Sequence, residues 1–286
     1  MTNPWNLVNQ RLGREIVNVL EQLRLDGKVA IVTGAGRGLG HEMALALAEA
    51  GADIVAAART QAQIEETAAM VRARGRRCLA VQTDVTNSAS VNAMVEATIA
   101  EFGRVDILVN NAGGASSGWN KPVEAITDEQ WRAGIDLNIT GAFYCCRAVL
   151  PHMIRQGGGK IINVTSGVGV RAMRNNFMYA TAKAGLINFT RAVALNYADK
   201  NIQATLILPG IFPHDDPMLL QFWQGGKFIP VGRPGKDEEL GPLCVFLASD
   251  LSNYMNGELV ALEGGGLAGG QVPTGFAPIV PLEGAK

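Results

Sequence analysis

Short apolar runs alternate with longer amphipathic stretches along most of the chain. Runs that are apolar throughout predict strands buried on both faces, which is typical of a parallel sheet covered by helices. The predicted strands are residues 29–32, 53–58, 78–82, 105–110, 160–164, 203–208 and 258–262. The predicted helices between them are residues 41–50, 61–74, 88–102, 128–156, 179–198 and 238–249.

This alternation predicts the fold class and the extent of the domain. Strands separated by helices indicate an α/β fold of the Rossmann type, with a doubly wound parallel sheet, three α/β/α layers and a single domain. Residues 25–265 are expected to form this domain. Residues 1–24 place apolar side chains at helical spacing and predict an N-terminal helical extension, and residues 266–286 are expected to form a C-terminal tail.

The composition excludes some classes of partner. The chain has 286 residues, of which 48% are hydrophobic, and its formal net charge is -1. Nucleic acids and anionic membrane surfaces select for strong positive charge, so neither is expected as the main partner. No uncharged apolar run reaches the roughly 20 residues that a membrane span needs. Charged residues interrupt the N-terminal stretch where a signal peptide would be apolar, which favours a cytoplasmic location.

The cysteines and histidines do not form a metal or disulfide pattern. The cysteines are Cys78, Cys145, Cys146 and Cys244, and no Cys-x-x-Cys pair occurs. Adjacent cysteines do not suit a structural disulfide, and the histidines lie far apart in the sequence. The sequence therefore predicts buried thiols in a reducing compartment and no bound metal.

A glycine-rich segment directly follows the first predicted strand. Residues 33–40 have the spacing T-G-x-x-x-G-x-G and open the first predicted helix. A glycine turn lets the backbone approach a diphosphate, and the helix N-terminus offers free N–H groups and the positive end of its dipole. The position between strand and helix therefore predicts a dinucleotide site.

The end of the second predicted strand bears on which dinucleotide is bound. NAD sites place a carboxylate there for the ribose 2′-hydroxyl, whereas NADP sites place arginine near the 2′-phosphate. Here Arg59 follows the strand and no acidic residue is present, while Arg37 lies in the glycine turn. Guanidinium groups bind phosphate through paired donors. The sequence favours NADP, and NAD is the alternative.

Three side chains suit acid–base chemistry. Tyr179 and Lys183 are four residues apart in a predicted helix, so they share one face. An ammonium beside a tyrosine favours the phenolate, as does the positive ring of an oxidised nicotinamide, so Tyr179 can take a proton from an alcohol or give one to a ketone. Ser166 comes just after the strand predicted at 160–164, where its hydroxyl is placed to hold the substrate oxygen.

Several motifs occur in order along the chain. They are residues 33–40, Asp84, Asn110-Asn111-Ala112-Gly113, Asn138, Ser166, Tyr179, Lys183 and Pro209-Gly210. Together they resemble the short-chain dehydrogenase/reductase family over about residues 25–265. The segment 228–235 resembles that of bacterial members that act on 3-oxoacyl thioesters or on sugar acids such as gluconate.

The resemblance implies roles for individual positions. The implied catalytic set is Asn138, Ser166, Tyr179 and Lys183. With the motifs above, the predicted cofactor-binding positions are Gly34, Gly36, Arg37, Gly38, Leu39, Gly40, Arg59, Asp84, Val85, Asn111, Ala112, Gly113, Tyr179, Lys183, Pro209, Gly210 and Phe212. Asp84 would bond the adenine ring, Phe212 would meet the nicotinamide carboxamide, and Asn138 would hold a water that links Lys183 to solvent.

The resemblance also implies a lid and an assembly. Residues at about 212–228 fall where the family has a mobile substrate lid. Family members commonly carry threonine shortly after the Pro-Gly pair to bind the nicotinamide amide. This chain has other residues there, including His214, so the contact is expected to move to backbone groups. Subunits of the family usually pair through two long helices, here 128–156 and 179–198, which implies a homodimer or homotetramer.

The leading hypothesis is an oxidoreductase that transfers hydride between NADP(H) and a ketone or secondary alcohol, with Tyr179 as general acid/base. An NAD-dependent alcohol, polyol or sugar-acid dehydrogenase is a second enzyme interpretation. A cofactor-binding regulator without turnover is the third, although such proteins usually lose part of the catalytic set. The sequence does not select one substrate.

Overall fold

The computed structural model describes residues 18–114, 120–214 and 229–268. Most of the predicted extension and lid, and nearly all of the predicted tail, lie outside these described residues. A short helix, α1 (Val19–Gln22), is the described end of the extension. Asn18 begins this helix, because its side-chain oxygen accepts a hydrogen bond from the Leu20 N–H.

Seven parallel strands form one sheet in the order β3-β2-β1-β4-β5-β6-β7. The strands are β1 (Val29–Thr33), β2 (Asp53–Ala58), β3 (Cys78–Gln82), β4 (Ile107–Asn110), β5 (Gly159–Val164), β6 (Ile202–Pro209) and β7 (Leu259–Leu262). The chain adds β2 and β3 on one side of β1 and β4 to β7 on the other. Ligands of such sheets bind at the carboxyl ends of the strands, near this switch point. The predicted single-domain, doubly wound α/β fold is confirmed.

Helices cover both faces of the sheet. They are α2 (Gly38–Glu49), α3 (Gln61–Ala73), α4 (Ser88–Phe102), α5 (Asp128–Ile135), α6 (Gly141–Gln156), α7 (Phe177–Tyr197) and α8 (Gly241–Ala248). Successive residues of a strand point to opposite faces, so the side chains of β1 alternate between two cores. Ala30 and Val32 pack with α2, α3 and α8, whereas Val29 and Ile31 pack with α4, α6 and α7. Both faces are therefore buried, as the continuous apolar runs predict.

A helix spans residues 128–156 as predicted, but the prediction does not include a π-helical turn within it. A wider turn with π-helical hydrogen bonds, Asp136–Thr140, separates α5 from α6. Asn138 lies in this turn, is almost fully buried and donates from Nδ2 to the Gly134 carbonyl oxygen at 3.0 Å. Such turns are frequent at functional sites. The spacing of apolar residues does not reveal this one, because a polar side chain and not an apolar contact supports it.

Two helices near the cavity begin earlier than predicted, and a third predicted helix is divided. The helix that follows β1, α2, begins at Gly38 within the glycine-rich segment, and not at residue 41. The helix that carries Tyr179 begins at Phe177, so the tyrosine lies within its first turn. The last predicted helix divides into a 3-10 turn, Asp237–Leu240, and α8. These shifts place the starts of two helices closer to the carboxyl edge of the sheet.

Neither a membrane-spanning helix nor a metal-binding cluster occurs among the described residues. No helix among them is long and apolar enough to cross a membrane. The same ranges contain no group of three or more histidine, cysteine, aspartate or glutamate side chains that could hold a metal ion. The four cysteines are free thiols, and three of them are buried in the cores of the domain.

Candidate active site

The glycine turn lies at the carboxyl end of β1. Gly34 and Gly38 have φ angles of 68° and 56°, in the left-handed region that favours glycine. A Cβ on Gly36 would lie 2.9 Å from the Gln63 side chain, and a Cβ on Gly40 would clash with the Gly34 carbonyl oxygen. The turn therefore requires glycine at these positions. The first N–H groups of α2 have no partner within the helix, so they are available to an anion.

The loop after β4 is tied to the end of β1. Thr33 Oγ1 accepts hydrogen bonds from the N–H groups of Asn111 and Ala112 at 3.0 and 3.1 Å. Asn111 Nδ2 donates to the Thr33 carbonyl oxygen at 3.1 Å. These contacts join the loops on either side of the switch point. They fix the part of the cleft where the sequence predicts cofactor-binding residues.

A cavity of about 710 Å³ opens at the carboxyl ends of the strands. The predicted residues that line it are Gly34, Gly36, Arg37, Gly38, Leu39, Arg59, Asp84, Val85, Asn111, Ala112, Gly113, Ser166, Tyr179, Lys183, Pro209, Gly210 and Phe212. Two predicted site residues, Gly40 and Asn138, do not line it. Gly40 instead allows α2 to approach the Asn111 side chain closely. One cavity thus brings the glycine turn and the predicted acid–base groups together.

Several residues that line this cavity are not among those the sequence predicts. They are Ala57, Ala58, Thr60, Gln63, Thr83, Gly114, Leu137, Val164, Thr165, Pro213 and His214. Most of them lie at or just after the carboxyl end of a strand, and the strand prediction was a signal that could have found them. Gln63 and Leu137 carried no such signal, because Gln63 lies on α3 and Leu137 lies in the π-helical turn. Pro213 and His214 lie after Pro209-Gly210, in the segment where the resemblance implies a nicotinamide contact and a lid.

The end of the cavity beside β2 carries exposed positive charge. Arg37 and Arg59 line it, and neither guanidinium belongs to a salt bridge among the residues that the structure describes. Asp84 also lines the cavity, and its Oδ1 accepts hydrogen bonds from the N–H and the hydroxyl of Thr86 at 2.9 and 2.8 Å. This end is therefore suited to an anionic group.

The other end of the cavity holds the predicted acid–base groups. A side-chain hydrogen bond joins Ser166 and Tyr179, and Lys183 Nζ lies 5.5 Å from the centre of the Tyr179 ring. Ser166 follows β5, whereas Tyr179 and Lys183 lie one turn apart on α7. Thr165 Oγ1 donates to the Lys183 carbonyl oxygen at 2.9 Å. The end of β5 is therefore fixed to α7, which places the three groups together.

Burial governs the charge states at this end. The pKa of Lys183 is lowered to about 8 because the ammonium is buried, and its Nζ donates to the Val164 carbonyl oxygen at 2.9 Å. The pKa of Tyr179 is raised because burial disfavours the phenolate, while the hydrogen bond with Ser166 acts in the opposite direction. The sequence predicts that the Lys183 ammonium lowers the pKa of Tyr179, but it does not reveal the opposite effect of burial.

Asn138 lies close to Lys183 and holds the loop after β4. Its Oδ1 accepts from the Gly114 N–H at 2.9 Å, and its Nδ2 donates to the Gly114 carbonyl oxygen at 2.9 Å. A Cβ on Gly113 would lie 2.8 Å from Asn138 Oδ1 and 3.1 Å from Lys183 Nζ, so both groups converge on Gly113. The amide therefore fixes the loop. The water relay that the resemblance implies for Asn138 stays a prediction.

The chain that leaves β6 closes the remaining side of the cavity. Phe212 is buried, and a Cβ on Gly235 would clash with its ring. His214 has a φ angle of 52°, and its Nδ1 lies 2.9 Å from both carboxylate oxygens of Asp237. Residues 215–228, which make up most of the predicted lid, lie outside the described ranges. The described part of this segment thus contributes one aromatic ring and one imidazole to the cavity.

Comparisons with known proteins agree with this geometry. A family profile described as short chain dehydrogenase matches residues 28–217. A 3-oxoacyl-[acyl-carrier-protein] reductase of Synechocystis is 37% identical over 243 residues, which are 84% of this chain and 97% of the relative. A 2-dehydro-3-deoxy-D-gluconate 5-dehydrogenase of Dickeya dadantii is 37% identical over 256 residues, which are 87% of this chain and 99% of the relative.

A solved structure has the same fold. It is a gluconate 5-dehydrogenase from Burkholderia cenocepacia in complex with NADP and tartrate, with a TM-score of 0.81 and 34% sequence identity. The match covers 88% of this chain and 100% of that chain. The chain therefore belongs to the short-chain dehydrogenase/reductase family, as an oxidoreductase that acts on carbonyl or alcohol substrates with a nicotinamide cofactor, NADP or NAD.

Proposed function

We propose that this chain transfers hydride between NADP(H) and a ketone or secondary alcohol, with Tyr179 as the general acid/base. The observation that carries the proposal is the convergence of Tyr179, Ser166 and Lys183 in the same cavity as the glycine turn. Hydride addition to a carbonyl needs a proton donor at the oxygen and a site that orients the dinucleotide. One cavity offers both.

The residues of this cavity fit a dinucleotide. Gly34 and Gly38 adopt the backbone angles of a turn that can approach a diphosphate, and the N-terminus of α2 supplies N–H donors. The cavity extends from the exposed Arg37 and Arg59 to the partly buried Tyr179. When bound, the reduced nicotinamide supplies the hydride that adds to the carbonyl carbon.

Tyr179 supplies or accepts the proton of the reaction. In reduction its hydroxyl gives a proton to the carbonyl oxygen, and in oxidation its phenolate takes the proton of the alcohol. The raised pKa keeps the hydroxyl protonated at neutral pH, which suits the acid role. Ser166, which is hydrogen-bonded to Tyr179, holds the same substrate oxygen. The Lys183 ammonium, 5.5 Å from the ring centre, stabilises the phenolate that remains.

The preference for NADP is supported by charge. Arg37 and Arg59 are exposed at the end of the cavity beside β2, and β2 itself ends in Ala58. A 2′-phosphate would gain charge-assisted hydrogen bonds from these guanidinium groups, whereas a ribose 2′-hydroxyl would find no carboxylate at the strand end. We therefore expect NADP(H) to bind more tightly than NAD(H).

An NAD-dependent alcohol, polyol or sugar-acid dehydrogenase is the second candidate. The observation that favours it is the presence of Thr60 and Gln63 in the lining at the same end of the cavity. Their neutral side chains can bond ribose hydroxyls without a phosphate. Two relatives support the range of substrates to be tested, since one is named for 3-oxoacyl thioester reduction and the other for oxidation of a sugar acid.

We also propose a homodimer or homotetramer, formed through α6 and α7. Phe143 of α6 is 40% exposed and contacts Phe189 of α7, with ring centres 6.4 Å apart. Leu195, farther along α7, is 82% exposed. Apolar side chains exposed on adjoining helices favour burial against another subunit. A cytoplasmic location is part of the same proposal, and the free thiols support it.

The function is tested by cofactor titration followed by a substrate panel. Dissociation constants of NADPH and NADH are measured first, and turnover is then assayed with ketones, secondary alcohols, sugar acids and 3-oxoacyl thioesters. We expect tighter binding of NADPH and turnover with at least one class. Tighter binding of NADH would remove the arginine argument. Binding without turnover across the whole panel would favour the regulator interpretation.

A further inference from the structure

His214 lies against the glycine turn. A Cβ on Gly38 would lie 3.0 Å from His214 Nδ1 and 3.3 Å from its Cε1, so the imidazole covers the residue that opens α2. The same side chain lines the large cavity. His214 lies in the connection that follows β6, so its place beside Gly38 does not follow from a regular strand or helix. The contact with the turn is therefore made by the side chain itself.

Asp237 holds the imidazole in place. Its two carboxylate oxygens each lie 2.9 Å from His214 Nδ1, and the side chains of His214 and Asp237 are 44% and 20% exposed. The backbone of His214 has a φ angle of 52°, which is uncommon for residues other than glycine. A residue held in an unfavourable conformation by its surroundings is frequent at binding sites. Both observations indicate a fixed imidazole beside the turn.

We propose that the His214–Asp237 pair is a second binding group for the diphosphate of the dinucleotide, which rests on the proposed function. Asp237 accepts the hydrogen bond from Nδ1–H, so the second ring nitrogen, Nε2, remains for a ligand. When both ring nitrogens carry a proton, the imidazole donates one hydrogen bond to Asp237 and a second to the diphosphate. The N–H groups of α2 and the Nε2–H of His214 then bind the diphosphate together.

The position of the pair selects the diphosphate over the nicotinamide. The His214 side chain lies against Gly38 and is hydrogen-bonded to Asp237. Gly38 belongs to the turn and helix start that bind diphosphates in this class of fold. Ser166 and Tyr179, which are hydrogen-bonded to each other, mark the end of the cavity where the proposed function places hydride transfer.

The test is His214→Asn with three ligands. Asparagine also tolerates a left-handed backbone, but its shorter side chain cannot reach the position of Nε2. Dissociation constants are measured for NADP, for 2′-phospho-ADP-ribose, which lacks the nicotinamide, and for 2′-AMP, which lacks the diphosphate. We expect roughly ten- to hundredfold weaker binding of the first two ligands, because a charge-assisted hydrogen bond is lost. Binding of 2′-AMP is expected to stay unchanged.

Two further variants separate binding from folding. Asp237→Asn keeps the size of the side chain and removes its charge, so it should give the same pattern across the three ligands with a smaller loss. His152→Asn is the matched control. Its Nδ1 also has a side-chain partner, Arg155 Nη2 at 2.9 Å, but it does not line the cavity. We expect no change in any of the three dissociation constants for this control.

Other outcomes overturn the proposal in distinguishable ways. Equal losses for all three ligands would show that His214 only supports the local structure. A loss for NADP alone would assign the contact to the nicotinamide, and no loss would remove the contact altogether. If the wild type prefers NAD, the same measurements with NAD, ADP-ribose and adenosine replace this series, so a wrong cofactor preference leaves the inference testable. Binding of neither dinucleotide would overturn both proposals.

Discussion

The two ends of the cavity are built in opposite ways. At one end Lys183 is buried, Tyr179 is hydrogen-bonded to Ser166, and burial shifts the pKa of both the lysine and the tyrosine. At the other end Arg37 and Arg59 are exposed to solvent and form no salt bridge within the described part of the chain. Lys183, Tyr179 and Ser166 are thus fixed by their surroundings, whereas no hydrogen bond or ion pair with another described residue holds the guanidinium groups of Arg37 and Arg59.

Under the proposed function, this difference separates the residues of the reaction from those that recognise the cofactor. A buried polar group that loses its partner costs about 1–3 kcal/mol, so the buried end tolerates few substitutions. An exposed guanidinium contributes little to folding, so the other end can change without cost to the domain. Substitutions at the buried end should therefore alter turnover and stability, and substitutions at the exposed end should alter only cofactor affinity.

The largest effect is expected from Tyr179→Phe. The ring stays in place, but the proton donor at the substrate oxygen is removed. We expect kcat to fall by roughly a hundred- to ten-thousandfold, with the cofactor dissociation constant changed by less than about twofold. The measurement is steady-state turnover with the best substrate of the panel, together with cofactor titration.

Tyr197→Phe is the control for this prediction. It makes the same change at the C-terminal end of the same helix, α7, outside the cavity. Turnover should match that of the wild type. If Tyr179→Phe kept more than a tenth of wild-type turnover, the acid–base role of Tyr179 would be wrong. The buried end would then not be the part of the cavity that determines turnover.

Lys183→Met should separate function from stability. Burial lowers the pKa of Lys183 from 10.5 to about 8, so the ammonium is destabilising at neutral pH. This difference corresponds to roughly 3 kcal/mol, an upper bound because the bond to the Val164 carbonyl oxygen is also lost. We expect at least tenfold lower kcat but a higher free energy of unfolding at pH 7, measured by denaturant titration.

The pH dependence gives the sign of this effect. The destabilisation by Lys183 is complete below about pH 8 and disappears as the pH rises past the ordinary lysine value, because both states are then neutral. The advantage of Lys183→Met should therefore shrink between pH 8 and pH 10. Lys200→Met, an exposed control, should show no such trend. A less stable Lys183→Met at pH 7 would mean that the hydrogen bond outweighs burial.

Arg59→Ala tests the exposed end. Loss of one guanidinium should weaken NADP binding by roughly tenfold and leave NAD binding and kcat unchanged, because only the 2′-phosphate loses a charge-assisted hydrogen bond. Higher salt should reduce the difference between wild type and variant, since exposed charges are screened. Dissociation constants at two salt concentrations provide the measurement.

Arg72→Ala is the control for Arg59→Ala. Arg72 is an arginine of α3 that bonds the Cys78 carbonyl oxygen and does not line the cavity. Its removal should leave both dissociation constants unchanged. An equal loss of NADP and NAD affinity in Arg59→Ala would contradict recognition of the phosphate and would favour the NAD-dependent candidate.

The sequence reveals the features that follow from local patterns, but not those that depend on contacts between distant segments. The strands, and the burial of both their faces, follow from continuous apolar runs. Tyr179 and Lys183 are visible as a pair because helical spacing brings them together. The π-helical turn at Asn138 and the contact of His214 with the glycine turn are not visible, since each depends on a side chain that meets a distant segment. The raised pKa of Tyr179 also requires the packed structure, because burial is its main cause.

Gln63→Ala should give the smallest effect, at a residue that the sequence does not predict for the site. Gln63 lines the exposed end, and a Cβ on Gly36 would lie 2.9 Å from its side chain. We expect about two- to fivefold weaker NADP binding, because a neutral hydrogen bond contributes about 0.5–1.5 kcal/mol. Stability should not fall, since alanine is a strong helix former.

Gln61→Ala is the control for Gln63→Ala. Gln61 is the first residue of α3, donates a hydrogen bond to Glu65 and does not line the cavity, so its replacement should leave binding unchanged. A loss from Gln63→Ala as large as that from Arg59→Ala would mean that a fixed neutral contact, and not exposed charge, recognises the cofactor at this end.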